Sequence, residues 1–217
     1  MQPLKIVRCS KANLIPAVFC TITVVCLAVS IVLWFRPLYY GDMRLLEISG
    51  RSGYSQEICR RNYDALIDYN TIGGSHDLEF ADMNMSGQGR IHFEEVRQIF
   101  LPVQAIGITG TAVLAVIYFS SNKKRWMHRG ALLSAAIALM AIIAITADGS
   151  GKWAFEAMHR VLFDNDYWIF SPRTDPVIKI LPYEFFIHCG VMIIALTIAI
   201  SAGLELLYRR SIRNGKT

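Results

Sequence analysis

Four apolar runs, Leu14 to Phe35, Ile99 to Tyr118, Ala131 to Ala147 and Phe185 to Leu207, constrain this chain more than any motif does. About 20 helical residues rising 1.5 Å each cross a hydrocarbon core roughly 30 Å thick, and in lipid only a helix or a closed barrel satisfies its own backbone. The first three runs carry no charge, and the fourth holds only His188 near its start and Glu205 near its end. The expected fold is an all-α integral membrane protein, a single membrane domain over residues 1–217 with transmembrane helices over 14–35, 99–118, 131–147 and 185–207. The third run is the shortest, and a re-entrant or buried helix is the alternative to a span there. Hydrophobic residues at 53%, charged ones at 18% and a mean hydropathy of +0.37 agree with this class. Lys5, Arg8 and Lys11 imitate the start of a signal peptide, but the run after them is too long and leads into WFRPLYY instead of a small-residue cleavage site. It is expected to be a retained first helix.

Charge placement orients the helices. The segments 1–13, 121–130 and 209–217 hold half of the 22 Lys and Arg and no Asp or Glu. Short basic loops stay in the cytoplasm, so both termini are expected inside and the segments 36–98 and 148–184 outside a bacterial cell membrane. The pI of 9.0 is then an effect of topology, and no nucleic-acid partner is expected.

Both outer segments read as folded structure carrying short amphipathic, interfacial helices. Ser55 is placed to cap a helix over QEICRRNYDALIDYN, whose Ile58, Tyr63, Leu66, Ile67 and Tyr69 share one side, and Gly73 and Gly74 follow as breakers. Asn84, Ser86, Gln88 and Glu95 fall at the ligand spacing of an EF-hand loop, but only Glu95 is charged, so calcium is not expected. SGQG is read instead as a turn, with Arg90 opening a helix that runs into the second span and sets His92 at the water–lipid boundary. In the second outer segment, DGSG breaks the third span, and KWAFEAMHRVLF forms an interfacial helix bearing His159. Trp153, Tyr167, Trp168, Phe170 and Tyr183 gather there, the residue types that collect at headgroup level.

The cysteines offer no CxxC pair and no disulfide framework. Cys9, Cys20 and Cys26 lie in or before the first span and Cys189 in the fourth, and Cys59 is read as an inert thiol. His76, His128 and His188 have structural explanations as loop, basic cytoplasmic loop and helix end. His92 and His159 differ, since each stands at the same membrane face with carboxylates close in sequence (Glu94 and Glu95; Glu156 and Asp164). Two neutral imidazoles can pass protons as base and acid in an acyl transfer. Three readings stay open on these residues: such a transfer, a metal-dependent membrane hydrolase with Glu156 or Asp164 as third ligand, and a non-enzymatic membrane partner or transporter. HExxH and G-x-S-x-G are absent, and the spans are nearly empty of polar groups.

Three stretches, NYDALIDY, SGQGRIHFEEVRQIF just before a span, and His159 with LFDNDYWIFSPRTDPVIKILPYEFF, together resemble the bacterial lipoprotein intramolecular transacylase family. The resemblance covers residues 62–186 and the four-helix topology. It implies transfer of an acyl chain from the diacylglyceryl group of a lipoprotein's N-terminal cysteine to that cysteine's own amino group, giving the lyso-form. It also implies His92 and His159 as the catalytic pair, with Glu95, Asp164, Asn165, Tyr167, Trp168, Asp175 and Pro182 shaping the site. Glu95 stands where the family pattern has Asp, and Met158 where an aromatic is common. The substrate is then a diacylglyceryl-modified lipoprotein held among membrane lipids; no metal, cofactor or obligatory protein partner follows from the scheme.

The topology gives a direct test. A cysteine introduced as Ser75→Cys should react with a membrane-impermeant reagent added to intact cells, and labelling only after permeabilisation would reverse the orientation.

Overall fold

A computed structural model describes residues 14–120, 124–147 and 149–215. Lys5, Arg8, Lys11, Lys123 and Lys216, used above to orient the chain, lie outside the described residues, as do Cys9 and Asp148. The described residues form eight α-helices and one 3₁₀ turn, without strands. Four helices are long and apolar enough to cross a membrane: α1 (Leu14–Trp34), α5 (Gly87–Ser120), α6 (Arg125–Thr146) and α8 (Tyr183–Arg213). The short helices α2 (Pro37–Leu45), α3 (Ile48–Ser52), α4 (Gln56–Asn70) and α7 (Lys152–Leu162), with the 3₁₀ turn Pro176–Lys179, gather at one end of the bundle.

Helices in lipid gain little from hiding apolar surface from one another, so they associate through close backbone approach and hydrogen bonds. Helix α1 lies at the centre, against α5, α6 and α8. It buries mostly small residues, among them Ala17, Cys20, Thr21 and Ala28, and α6 answers with Gly130, Ala131, Ser134 and Ala138. At Gly107 of α5 an added Cβ would come within 3.1 Å of the Leu27 backbone nitrogen of α1, so any side chain there forces the two helices apart.

Two helices start earlier than the apolar runs suggest. Helix α5 opens at Gly87, because Ser86 Oγ accepts from the Gly89 amide at 2.9 Å as an N-cap. SGQG is therefore the first turn of α5 and not a separate turn before Arg90. The same helix occupies the EF-hand loop positions from Gly87 to Glu95. Helix α6 takes in Arg125, His128 and Arg129 ahead of its apolar run, and its 22 residues cover the third run as far as Thr146 in one regular helix. His128 accordingly sits on that helix and not in a loop, with Nδ1 2.7 Å from Glu205 of α8.

The segments 36–98 and 149–184 fold against each other into a cap with one apolar core. Ser55 Oγ accepts from Ile58 N at 3.2 Å, and α4 then turns Cys59, Tyr63, Leu66 and Ile67 inward against Val177, Ile180 and Phe185. Tyr39 stacks on Tyr63 with ring centroids 3.8 Å apart and donates its hydroxyl to Ile180 O at 2.9 Å. Cys59 is fully buried, which pushes its thiol above the usual range and keeps it protonated.

Gln104, inside the second apolar run, joins cap to bundle. Its side chain is fully buried. Its Oε1 accepts from Trp34 Nε1 at 2.9 Å and from Ile72 N at 3.2 Å, and its Nε2 donates to Asn70 O at 2.7 Å and Phe100 O at 2.9 Å. The ends of α1 and α4 are thereby fixed to the middle of α5. A buried donor or acceptor left without a partner costs about 1–3 kcal/mol. Gln104→Leu strands several at once and should lower the thermal midpoint in detergent well below that of Gly203→Ala, whose added Cβ meets no heavy atom within 4 Å; equal midpoints would count against the joint.

Candidate functional site

His92 stands on the second turn of α5, and the start of that helix is set from the segment between α7 and α8. Asp175, only 3% exposed, accepts the Ser86 amide at Oδ1 (2.7 Å) and the Thr174 hydroxyl at Oδ2 (2.7 Å). A carboxylate beside the first free amides of a helix also meets the positive end of its dipole. The contact requires glycine at 89, where a Cβ would fall 2.3 Å from Asp175 Oδ1.

His159 stands in the last turn of α7, a helix that begins at Gly151 with φ of 77° and buries none of its residues fully. Its Nδ1 is 2.8 Å from Phe155 O. A carbonyl can only accept, so the neutral ring carries its proton on Nδ1 and leaves the Nε2 lone pair free. The His92 and His159 ring centroids are 6.1 Å apart. Phe163 packs against both, at 4.8 Å from His92 and 5.7 Å from His159; Phe170 lies 5.4 Å from His92 and Trp168 4.8 Å from His159.

A clasp behind the rings ties the segment after α7 to α5. Asn165 Nδ2 donates to Glu95 Oε1 at 2.8 Å, and Asn165 Oδ1 accepts from Tyr167 N at 3.0 Å. Glu95 is three residues on from His92, on the same side of the helix. Of the expected site residues, His92, Glu95, His159, Asn165, Tyr167, Trp168 and Asp175 are thus brought together, while Pro182 is the N-cap residue of α8. Asp164 is exposed and bonds to neither histidine, and Glu156 faces Lys152 at 3.9 Å. No cluster of three or more His, Cys, Asp or Glu suited to a metal occurs among the described residues, so the third ligand of the hydrolase reading is not supplied. His188 is engaged elsewhere, its Nδ1 2.9 Å from both oxygens of buried Asp42. Phe155 and Phe163 are absent from the expected site: Phe155 stands four residues before His159, on the same helix side, and Phe163 is the extended C-cap residue of α7.

The pair lies on the wall of a cavity of about 420 Å³. Cap residues such as Tyr63 and Leu66 line one part of it, and Val29, Val103 and Ile193 of the membrane helices line another. Beyond the two histidines, Trp168 and a few polar groups, the wall is aliphatic or aromatic. Such a space accepts a hydrocarbon chain, with its polar end beside the imidazoles. Burial lowers the pKa of His159, the Phe155 hydrogen bond opposing it in part. Burial also lowers His92, which stands in the cap ahead of the apolar run 99–118, and the neighbouring His159 adds to the effect.

The family model of the lipoprotein intramolecular transacylase Lit matches residues 14–186. Among solved structures, that of the membrane integral lipoprotein intramolecular transacylase Lit from Bacillus cereus, determined in meso, is similar with a TM-score of 0.87 at 26% identity, over 94% of this chain and 95% of its own. A histidine-to-arginine variant of the Bacillus cereus protein gives 0.79 at 30% identity, over 94% and 92%. A histidine-to-alanine variant gives 0.76 at 29%, over 94% and 93%. No curated protein matches the chain.

Because burial disfavours both imidazolium forms, His92 and His159 should titrate below the usual value of about 6.5 in NMR spectra of histidine-labelled protein. The unfolded chain takes up these protons first as pH falls, so the pair's contribution to stability is present above about pH 6.5 and lost below it. Midpoints above 6.5 would contradict the buried geometry.

Proposed function

The chain belongs to the lipoprotein intramolecular transacylase family, whose members are membrane-integral acyltransferases, and from that premise we propose how its own residues carry the reaction. The substrate is a lipoprotein whose N-terminal cysteine bears a diacylglyceryl group. One acyl chain occupies the apolar cavity, and its ester carbonyl lies between His92 and His159. The observation that carries this reading is the pair of imidazoles, 6.1 Å apart, on the wall of a cavity that continues from the cap between the membrane helices.

His159 is the base, since its Nδ1 is committed to the Phe155 carbonyl and Nε2 is free to accept. The substrate's α-amine, neutral in so apolar a space, attacks the ester carbonyl carbon, and its proton passes to His159 Nε2. The tetrahedral intermediate collapses by breaking the bond to the glycerol oxygen, which takes that proton back. His92, held neutral by burial, hydrogen-bonds to the leaving oxygen on the other side of the reacting carbon. An amide and a free hydroxyl result, with no proton gained or lost overall. Proton transfer of this kind contributes roughly 10²–10⁴ in rate. Holding amine and ester of one molecule within reach supplies much of the rest.

The described basic residues Arg125, Arg129, Arg209, Arg210 and Arg213 sit at the ends of α6 and α8 away from the cap, which supports an outward-facing cap and site. Membrane lipids surround the exposed apolar faces of α5, α6 and α8.

His92→Ala and His159→Ala should each slow turnover by roughly 10²–10⁴ while leaving the protein folded, and the double variant should lose less than the product of the two. His128→Ala should stay near wild type. A diacylated lipopeptide incubated with purified protein in detergent, without phospholipid, should give a product of unchanged mass with one acyl group moved to the cysteine nitrogen. A product heavier by one chain would point to an external donor, and one lighter by a chain to hydrolysis.

A further inference from the structure

The scheme above leaves the oxyanion of the tetrahedral intermediate without a donor. In an apolar site that charge is the largest demand on the protein, and preorganised N–H groups are the usual answer. Apart from the histidines, the side chains on the cavity wall with a hydrogen to donate are Tyr63, Asn70, Trp168 and Cys189. Asn70 already donates its amide to Leu66 O at 2.8 Å. Tyr63 stacks on Tyr39, and Cys189 lies on α8. Trp168 packs directly against a histidine ring, 4.8 Å from His159.

Trp168 has a second property. Its indole Nε1 is buried and has no acceptor among the described residues. Indole nitrogen is a donor only, so nothing but an incoming acceptor can satisfy it, and leaving it bare is destabilising. The fold tolerates this cost beside the base, on an irregular segment that the Glu95–Asn165 clasp holds against α5. We propose that Trp168 is a further catalytic residue: its indole N–H donates to the substrate's carbonyl oxygen and stabilises the charge that forms there as the amine attacks. Resting on the histidine scheme, the proposal completes its division of labour. His159 takes the proton, Trp168 holds the oxyanion, and His92 attends the leaving oxygen. No bond is made or broken to the indole.

Replacing Trp168 with its sulfur isostere, β-(3-benzothienyl)alanine, by nonsense suppression keeps ring size and stacking and removes only the N–H. Single-turnover rates on a diacylated lipopeptide should fall by roughly 10²–10³, the loss typical of one oxyanion donor, with KM and thermal midpoint unchanged. Trp168→Phe should fall at least as far. A rate within threefold of wild type for the isostere overturns the proposal, as does a rise in KM at unchanged kcat, which marks a packing role. The His92→Ala and His159→Ala variants run alongside separate the two ideas. Inactive histidine variants with an active isostere sink only the indole role, whereas active histidine variants sink the scheme beneath it.

Discussion

Gln104 is the joint on which the site depends. A cap of short helices and a bundle of long ones have different solvents, water for one and lipid for the other, and the apolar contacts they share, such as Tyr39 and Tyr63 against Phe185 of α8, are non-directional and leave their relative geometry open. A buried amide with all four of its hydrogen-bonding positions in use does oblige them, because each bond is unscreened and none can be exchanged for water. Its partners lie at the end of α1, at the end of α4 and just beyond it, and within α5. Asn70, whose carbonyl Gln104 holds, also lines the cavity. The joint therefore sits directly behind the cavity, and it sets how the cap part of the wall meets the membrane part.

Against that fully satisfied joint, the unsatisfied groups are informative. Among the described residues seven buried side-chain atoms lack partners, and three of them, His92 Nδ1, Glu95 Oε2 and Trp168 Nε1, lie in one neighbourhood. Stability alone would remove them, as each costs on the order of 1–3 kcal/mol. Sites that must bind a polar transition state keep such groups open, and the surrounding fold supports the strain. Here the support is visible as the Asp175 contact on the first turn of α5 and the Glu95–Asn165 clasp. Neither touches the cavity, yet they fix the positions of His92 and of the segment that bears Trp168.

What was legible in the sequence follows from the range of the forces involved. The spans announce themselves by composition, and α4 by a cap at Ser55 with an apolar side, both local signals. His92 and His159 stood out because the membrane places both at one level, which is long-range information written in hydropathy. The start of α5 was misjudged because SGQG has the composition of a turn, and only the Ser86 cap and Asp175, 89 residues away, make it helix. Gln104 was invisible as one polar letter in an apolar run. Asp42 with His188 was unreadable for a related reason: 146 residues separate partners whose meeting depends on the packing of α2 against α8.

A base poised beside an ester would serve water as well as an amine, so transfer in place of hydrolysis needs a physical cause. The site supplies two. Phe155, Phe163 and Phe170 surround the imidazoles, and the cavity beyond is apolar, so a water molecule finds few partners there and gains little by staying. The amine, in contrast, arrives tethered to the ester it attacks, and well-oriented intramolecular groups reach effective concentrations of roughly 10⁵–10⁸ M. The same apolar wall that raises the cost of a charged imidazole also raises the cost of an ammonium, and it favours the neutral amine that alone can attack. Depressed histidine basicity is thus no handicap to the proposed reaction, since one environment sets base, nucleophile and water exclusion together.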